Sequence, residues 1–279
     1  MEIGKVLVVG AGQMGGGIAQ VVAASGRQVA LLDAQPGAVE RAVETMERSL
    51  AKLAEKGGPP AAEVLARVGT VSALEEAGDA DLLVEAVVED AAVKGQVFRD
   101  ADAVLGPNAI LASNTSSIPI GTLAAATARP DRVIGMHFFN PVPVLRLVEV
   151  IRATGTSDET AAAVVALARD LGKEPVEARD VAGFVSNRIL MPFINEAVHA
   201  LAEGIAEPEG IDTVAKLGFG HPLGPLALAD LIGLDTCVAI MEVLRDGLGD
   251  PRFEPAPLLR EHVRAGRLGR KSGAGFFTY

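Results

Sequence analysis

The sequence predicts an α/β fold, a doubly wound sheet domain followed by an all-helical C-terminal domain. Short β-branched runs alternate with longer amphipathic segments through the first two-thirds of the chain. A glycine-rich turn, Gly10-Ala-Gly-Gln-Met-Gly15, joins the first apolar run to the first helical pattern. From Gly183 onward one helical pattern follows another, with almost no strand signal until the tail. The boundary falls at about residue 182, which gives domains 1–182 and 183–279.

Lys5–Val9 reads as a buried strand. Gly10 permits the tight turn after it, Gly12 lets backbone approach a pyrophosphate, and Gly15 lets the next helix pack close. That helix spans about Met14 to Ser25, with Ile18, Val21 and Val22 facing inward. Its free N-terminal N–H groups and positive dipole end favour phosphates. Val29–Leu32 is the second strand, and Asp33 follows it where a carboxylate can bond both ribose hydroxyls. Strand, glycine triplet, helix and acid together form a Rossmann-type dinucleotide fingerprint. A carboxylate at 33 repels a 2′-phosphate, so NAD is expected rather than NADP.

The long helical stretch Gly37–Lys56 is broken by Gly57-Gly58-Pro59-Pro60, which predicts a helical hairpin at about 37–68. Thr70–Ser72, Leu82–Ala86, Ile110–Ser113 and Val133–Met136 are the next strands, separated by helices that include Ala91–Val104. Leu145–Ile151 and Pro175–Glu177 are edge strands around a helix at Asp158–Leu171. In the second domain the helices are Phe184–Leu201, with Pro192 as a kink position, Gly210–Leu217, Pro225–Ile232 and Leu234–Leu248.

Composition excludes several classes. With 279 residues, 49% of them hydrophobic, the chain is globular and large enough for two domains. No apolar stretch is long enough for a membrane helix, and no secretory leader is expected where the N-terminus enters a strand at once. The single cysteine, Cys237, excludes an intrachain disulfide and reads as a core residue. These features fit the cytoplasm. A net charge of −11 argues against nucleic-acid binding, and an anionic substrate would need a local basic patch. No cysteine or histidine cluster suggests a metal.

Ligands of open α/β sheets sit at the carboxyl ends of the strands. Polar residues gather there: Glu85 and Glu89 after Leu82–Val84, Ser113-Asn114-Thr115-Ser116-Ser117 after Ile110–Leu111, and His137 and Asn140 after Val133–Met136. Each cluster alone reads as a turn or a structural residue, but their convergence on one edge predicts a shared site. His137 is the candidate general base, because imidazole chemistry operates near neutral pH. Glu149 is a lone carboxylate among valines; it either orients His137 or faces solvent from an edge strand. His199, His221 and His262 read as structural or exposed.

The chain resembles the 3-hydroxyacyl-CoA dehydrogenases, in particular the single-function 3-hydroxybutyryl-CoA dehydrogenases. The resemblance rests on Gly10-Ala-Gly-Gln-Met-Gly15, Glu85-Ala-Val-Val-Glu89, Ser113-Asn-Thr-Ser-Ser117, and His137-Phe-Phe-Asn-Pro-Val142 running on to Leu147-Val-Glu149. It continues through Gly183-Phe-Val-Ser-Asn-Arg188, Lys216-Leu-Gly, Gly224-Pro and Gly269-Arg-Lys-Ser-Gly273, and so covers nearly the whole chain. It implies reversible NAD-dependent oxidation of an L-(3S)-3-hydroxyacyl-CoA, with His137 as base, Glu149 orienting it, and Ser116 and Asn187 bonding the substrate. Gly10, Gly12, Gln13, Met14, Gly15, Asp33, Glu89, Lys94 and Asn114 are expected at the cofactor. Asn140, Ser49, Lys52 and Lys56 are expected toward the acyl-CoA. A homodimer through the helical domain is also implied. Two other readings stand beside this one: a related sugar-acid (gulonate-type) dehydrogenase, and a non-enzymatic structural relative.

Overall fold

The computed structural model describes residues 2–279, and the chain clusters into two units divided between Asp180 and Val181. The first unit opens with β1 (Lys5–Val9), α1 (Gln13–Ala24), β2 (Gln28–Leu32), α2 (Ala38–Ala54), α3 (Ala61–Leu65) and β3 (Val68–Thr70). It continues with β4 (Leu82–Glu85), α4 (Ala91–Val104), β5 (Ile110–Ser113), α5 (Ile120–Ala124) and β6 (Val133–Phe138). It closes with β7 (Leu147–Arg152), α6 (Asp158–Asp170) and β8 (Glu174–Arg179).

The eight strands form one sheet in the order β3-β2-β1-β4-β5-β6-β7-β8. From β3 to β6 every pairing is parallel. The β6–β7 pairing is antiparallel, and β8 then runs parallel to β7. Strands covered on both faces must be apolar throughout. Val6, Leu7, Val8, Leu82, Leu83, Ile110 and Leu111 are accordingly all fully buried. The strand order reverses between β1 and β4, and this is where such sheets open a crevice at their carboxyl ends.

Two glycines make the first turn possible. Gly10 has φ +103°, and a Cβ there would lie 2.5 Å from the Ala86 carbonyl oxygen. A Cβ on Gly15 would lie 1.7 Å from the Gly10 carbonyl oxygen, so only glycine lets α1 start this close to β1.

Several element boundaries differ from the sequence reading. The third strand lies at Val68–Thr70 rather than Thr70–Ser72, because pairing with Val29–Leu31 selects the earlier residues. The strand expected to end at Met136 continues to Phe138, because Val148 and Glu149 of β7 extend its ladder. His137 therefore sits within a strand and not after one. The edge strands begin at Leu147 and span Glu174–Arg179, so Leu145 belongs to the connection before β7. The strand expected over Leu82–Ala86 ends at Glu85. The short helix α5 had no clear sequence signal.

The second unit contains α7 (Ser186–Ala202, with Pro192 inside it), α8 (Pro208–Thr213), α9 (Pro225–Ile232), α10 (Leu234–Leu248) and α11 (Pro257–Arg264). The helix expected over Gly210–Leu217 is instead α8 continued by a π-helical turn, Val214–Gly218. Ile194, Val198, Leu226, Leu234, Cys237, Met241 and Leu259 form the buried centre. Burial, with Asp235 and Asp230 nearby, pushes the Cys237 thiol up to about 12, as suits an inert core residue. Among the described residues no helix is long and apolar enough to cross a membrane.

Two buried aspartates organise this unit. Asp212 accepts the N–H groups of Leu226 (2.9 Å) and Ala227 (3.0 Å) and so caps α9. Asp230 accepts the N–H groups of Phe276 and Phe277, each at 2.9 Å, and the Tyr279 hydroxyl at 3.1 Å. This one carboxylate holds the C-terminal segment in place. Asp230→Ala should destabilise the protein by about 2–4 kcal/mol, the scale of charge-assisted hydrogen bonds lost from buried donors. The fall should appear in the denaturant midpoint, with earlier proteolytic cleavage near residue 270. An unchanged midpoint would mean that other contacts hold the tail.

Candidate active site

The antiparallel β6–β7 ladder puts His137 directly opposite Glu149. Directly opposed residues of such a ladder carry their side chains on the same face, within contact range. His137 Nδ1 lies 2.8 Å from Glu149 Oε2, and the residues are only 6% and 1% exposed. On the far side of the ring, Nε2 lies 3.1 Å from Ser116 Oγ. The Phe139 ring packs beside the imidazole at 4.6 Å. A ring proton on Nδ1, donated to the carboxylate, would leave the Nε2 lone pair facing Ser116. Glu149, His137 and Ser116 thus form a continuous hydrogen-bonded line.

A second carboxylate presents Ser116. Glu89 Oε1 accepts the Thr115 hydroxyl (2.6 Å), the N–H groups of Ser116 (2.9 Å) and Ser117 (3.1 Å), and the Ser117 hydroxyl (3.0 Å). Burial pushes Glu89 up, but the Lys94 charge and these donors outweigh it and hold its pKa below the ordinary carboxylate value. Asn114 ties the same loop to the sheet: its N–H donates to the Glu85 carbonyl and its Oδ1 accepts the Phe138 N–H, both at 2.8 Å.

Beneath the loop lies a buried ion pair that sequence reasoning missed. Lys94 is 1% exposed, and its Nζ lies 2.7 Å from Glu85 Oε1 and 3.2 Å from Glu89 Oε2. Glu85 is fully buried and also accepts the Ser113 hydroxyl (2.6 Å) and the Val87 N–H (2.7 Å). A lysine in the first turn of an amphipathic helix ordinarily reads as solvated. The available signal was Glu85, an acid at the end of an apolar strand, which needs a cation once buried.

The dinucleotide fingerprint borders a cavity of about 510 Å³, within the range of small-molecule and cofactor sites. Gly12, Gln13, Asp33, Ser49 and Asn140 line it, together with Gln35, Arg41 and Thr45, which the sequence reading had not singled out. Gly10, Met14 and Gly15 are not among the lining residues. A Cβ on Gly12 would meet open space, so the turn offers bare backbone to the cavity. No side chain caps α1, which leaves its first N–H groups for an anion. Asp33 is fixed at the rim, with Oδ2 accepting the Ala11 N–H (2.7 Å) and Oδ1 the Gln35 N–H (2.8 Å). Each oxygen keeps further acceptor capacity for a ribose diol. These residues fit a dinucleotide.

The remaining expected residues lie elsewhere. Ser49 accepts the Gln20 amide at 3.0 Å. Lys52, in the last turn of α2, and Lys56, just beyond it, are exposed and do not line the cavity. Asn187 is in the first turn of α7 in the second unit, 8% exposed, with its N–H on the Gly183 carbonyl at 3.2 Å. Among the described residues no group of histidine, cysteine or carboxylate side chains could hold a metal.

Comparison with known proteins agrees with this geometry. Residues 5–181 match the model of the NAD binding domain of 3-hydroxyacyl-CoA dehydrogenase, and residues 183–279 match its C-terminal domain. A probable 3-hydroxybutyryl-CoA dehydrogenase of Bacillus subtilis is 55% identical over 100% of this chain and 98% of its own length. The mitochondrial hydroxyacyl-coenzyme A dehydrogenase of Sus scrofa is 41% identical over 98% of this chain and 90% of its own. The crystal structure of (S)-3-hydroxybutyryl-CoA dehydrogenase from Ralstonia eutropha superposes with a TM-score of 0.97 at 50% identity, covering 100% of this chain and 99% of that one. This chain belongs to the 3-hydroxyacyl-CoA dehydrogenase family.

Proposed function

We propose that this protein catalyses the reversible NAD-dependent oxidation of (S)-3-hydroxyacyl-CoA to 3-oxoacyl-CoA, with 3-hydroxybutyryl-CoA as the short-chain substrate. The observation that carries the reading is the Glu149–His137–Ser116 line, a base with its orienting acid on one side and a hydroxyl on the other. NAD⁺, when bound, supplies the acceptor for the hydrogen that leaves C3 with its electron pair. His137 Nε2 takes the proton from the C3 hydroxyl, and Glu149 stabilises the imidazolium that results. Ser116 shares the substrate oxygen with Nε2 and so holds the hydroxyl on the lone pair. In reverse, the imidazolium polarises and protonates the ketone oxygen. We assign Asn187 to the substrate as well, and Asn140, Ser49, Lys52 and Lys56 to the coenzyme A portion. The lysines would give an anionic substrate local positive charge on a protein of net charge −11.

The helical unit exposes large apolar side chains, Leu217 at 83%, Ile189 at 67% and Phe219 at 63%. Single exposed residues are ordinary, but several on one small unit favour association. We infer a homodimer through this unit. Sedimentation equilibrium should return twice the chain mass, and a monomer at micromolar concentration would remove this assignment.

The mechanism is tested by the dyad. His137→Gln should retain NADH affinity and lower kcat by about 10²-fold or more, the usual share of a general base. Glu149→Gln keeps the side chain's size but loses the charge, and should also cut kcat heavily. Residues acting as a unit are not additive, so the double variant should be little worse than His137→Gln alone. Losses that multiply, or a nearly active Glu149→Gln, would break the dyad.

Cofactor choice is tested separately at Asp33. The parent enzyme should have the higher kcat/KM with NADH, because a 2′-phosphate would meet the Asp33 carboxylate. Asp33→Ala should weaken NADH binding more than NADPH binding. A parent that prefers NADPH would reverse the assignment.

A further inference from the structure

One buried cation takes no part in the machinery above. Lys173 occupies the tight connection between α6 and β8, where Gly172 (φ +71°) turns the chain and the Lys173 N–H closes on the Ala168 carbonyl at 2.9 Å. The residue is only 6% exposed. Burial pushes its ammonium below the ordinary lysine value, and among the described residues it forms no ion pair. Its Nζ donates instead to two carbonyl oxygens of the β6–β7 connection, those of Val142 and, at 2.8 Å, Leu145. A buried charge without a counter-ion is costly. An apolar residue would fill the space more cheaply, so the two hydrogen bonds are what the lysine contributes.

Those bonds add to the loop's carbonyl pairing. The Pro141 carbonyl accepts the N–H groups of Val144 and Leu145, each at 3.0 Å, and the Arg146 carbonyl accepts the Glu174 N–H at 2.7 Å. Of the carbonyls between them, Lys173 supplies donors to those of Val142 and Leu145. The same loop forms one wall of the 510 Å³ cavity through Asn140, Pro141, Val142 and Pro143. It also rests on α1, whose Gly16 and Gly17 line the same cavity: a Cβ on Gly17 would come within 2.9 Å of the Val142 Cβ. Val142 therefore meets the dinucleotide-binding helix with its side chain and the Lys173 ammonium with its carbonyl.

We infer that Lys173 is a positioning residue for the cofactor, which holds the β6–β7 connection against α1 and thereby fixes one wall of the dinucleotide cavity. The inference rests on the reading of that cavity as the NAD site. Lys173 does not itself line the cavity. The dyad is held independently, by four consecutive β6–β7 pairs from Gly135↔Ile151 to Phe138↔Val148. Loosening the connection should therefore spoil cofactor binding more than proton transfer.

The test is NADH affinity, read by fluorescence titration of the full-length protein, together with steady-state kinetics. Lys173→Met keeps the apolar stem and removes the donors. It should raise the NADH Kd and KM by about tenfold, the equivalent of one charge-assisted hydrogen bond, while kcat falls by less than KM rises. Lys173→Arg should recover most of the affinity. Lys173→Gln keeps an amide donor and should fall between the Met and Arg variants in NADH affinity, so the test survives if Lys173→Met fails to fold. A folded Lys173→Met or Lys173→Gln protein with parental NADH affinity overturns the proposal, as does a drop in Tm with unchanged Kd. Asp33→Ala separates the two ways of failing. If it weakens NADH binding while Lys173→Met does not, the clamp is wrong. If neither variant does, the cavity is not the cofactor site.

Discussion

The reversal of chain direction between β6 and β7 is the constraint on which the site depends. A parallel neighbour would have required a crossover of a dozen residues or more, and its carboxyl end would have met the histidine from another direction. Residues 139–146 turn the chain back instead, so one residue of the returning strand stands opposite His137. That residue is Glu149. A shift of register by one residue would turn its carboxylate to the other face of the sheet and leave the imidazole without its orienting acid. The buried valines and isoleucine around Glu149 resist such a shift, because Val148, Val150 and Ile151 are fully enclosed in the present register. Packing of the sheet therefore holds the carboxylate against Nδ1 of the ring.

The remaining charges serve geometry. Glu85, Glu89 and Lys94 lie within one hydrogen-bonded cluster at the end of β4, and the lysine lies between the two carboxylates. Only the Lys94–Glu85 pair is buried, and removing one of its members would leave the other uncompensated, which ordinarily costs more than the pair contributes. Glu89 extends that pair toward solvent, and its Oε1 gathers the donors of Thr115, Ser116 and Ser117. The loop that carries Ser116 is held through those donors. A serine in an unsupported polar loop could not be held 3.1 Å from an imidazole nitrogen.

What the sequence disclosed follows from the range of the forces involved. The glycine fingerprint was legible because its steric demands act within a few residues: the Gly15 position excludes a side chain by contact with Gly10, five residues earlier. The doubly wound sheet and the helical second unit were legible from periodicity. The His137–Glu149 pairing was legible as one of two alternatives, since a carboxylate among valines needs a partner or an exit to solvent. Lys94 was expected at the cofactor and Lys173 was not singled out; the burial of neither was legible. Each is a single lysine in a sequence context that normally faces water, and each is buried by partners 28–31 or 5–9 residues away whose positions only the fold defines. The end of β6 was misjudged by two residues for a related reason, because the ladder with β7 extends the strand through His137 and Phe138. The break of the expected helix at Thr213 into a π-helical turn has no sequence signal that we recognise.

The carboxylates thus divide their tasks by what surrounds them. Glu89 Oε1 gathers four donors and Oε2 lies 3.2 Å from Lys94 Nζ, so its charge is an anchor. Its folded pKa lies below the unfolded value, which means that its stabilisation is fully present above the unfolded value and is lost only as pH falls through the folded one. Above the carboxylate range the loop that presents Ser116 therefore keeps its anchor. Glu149 instead faces the His137 ring, with Oε2 2.8 Å from Nδ1. With one carboxylate on Lys94 and the other on His137, the charge that holds the loop is separate from the charge that faces the imidazole.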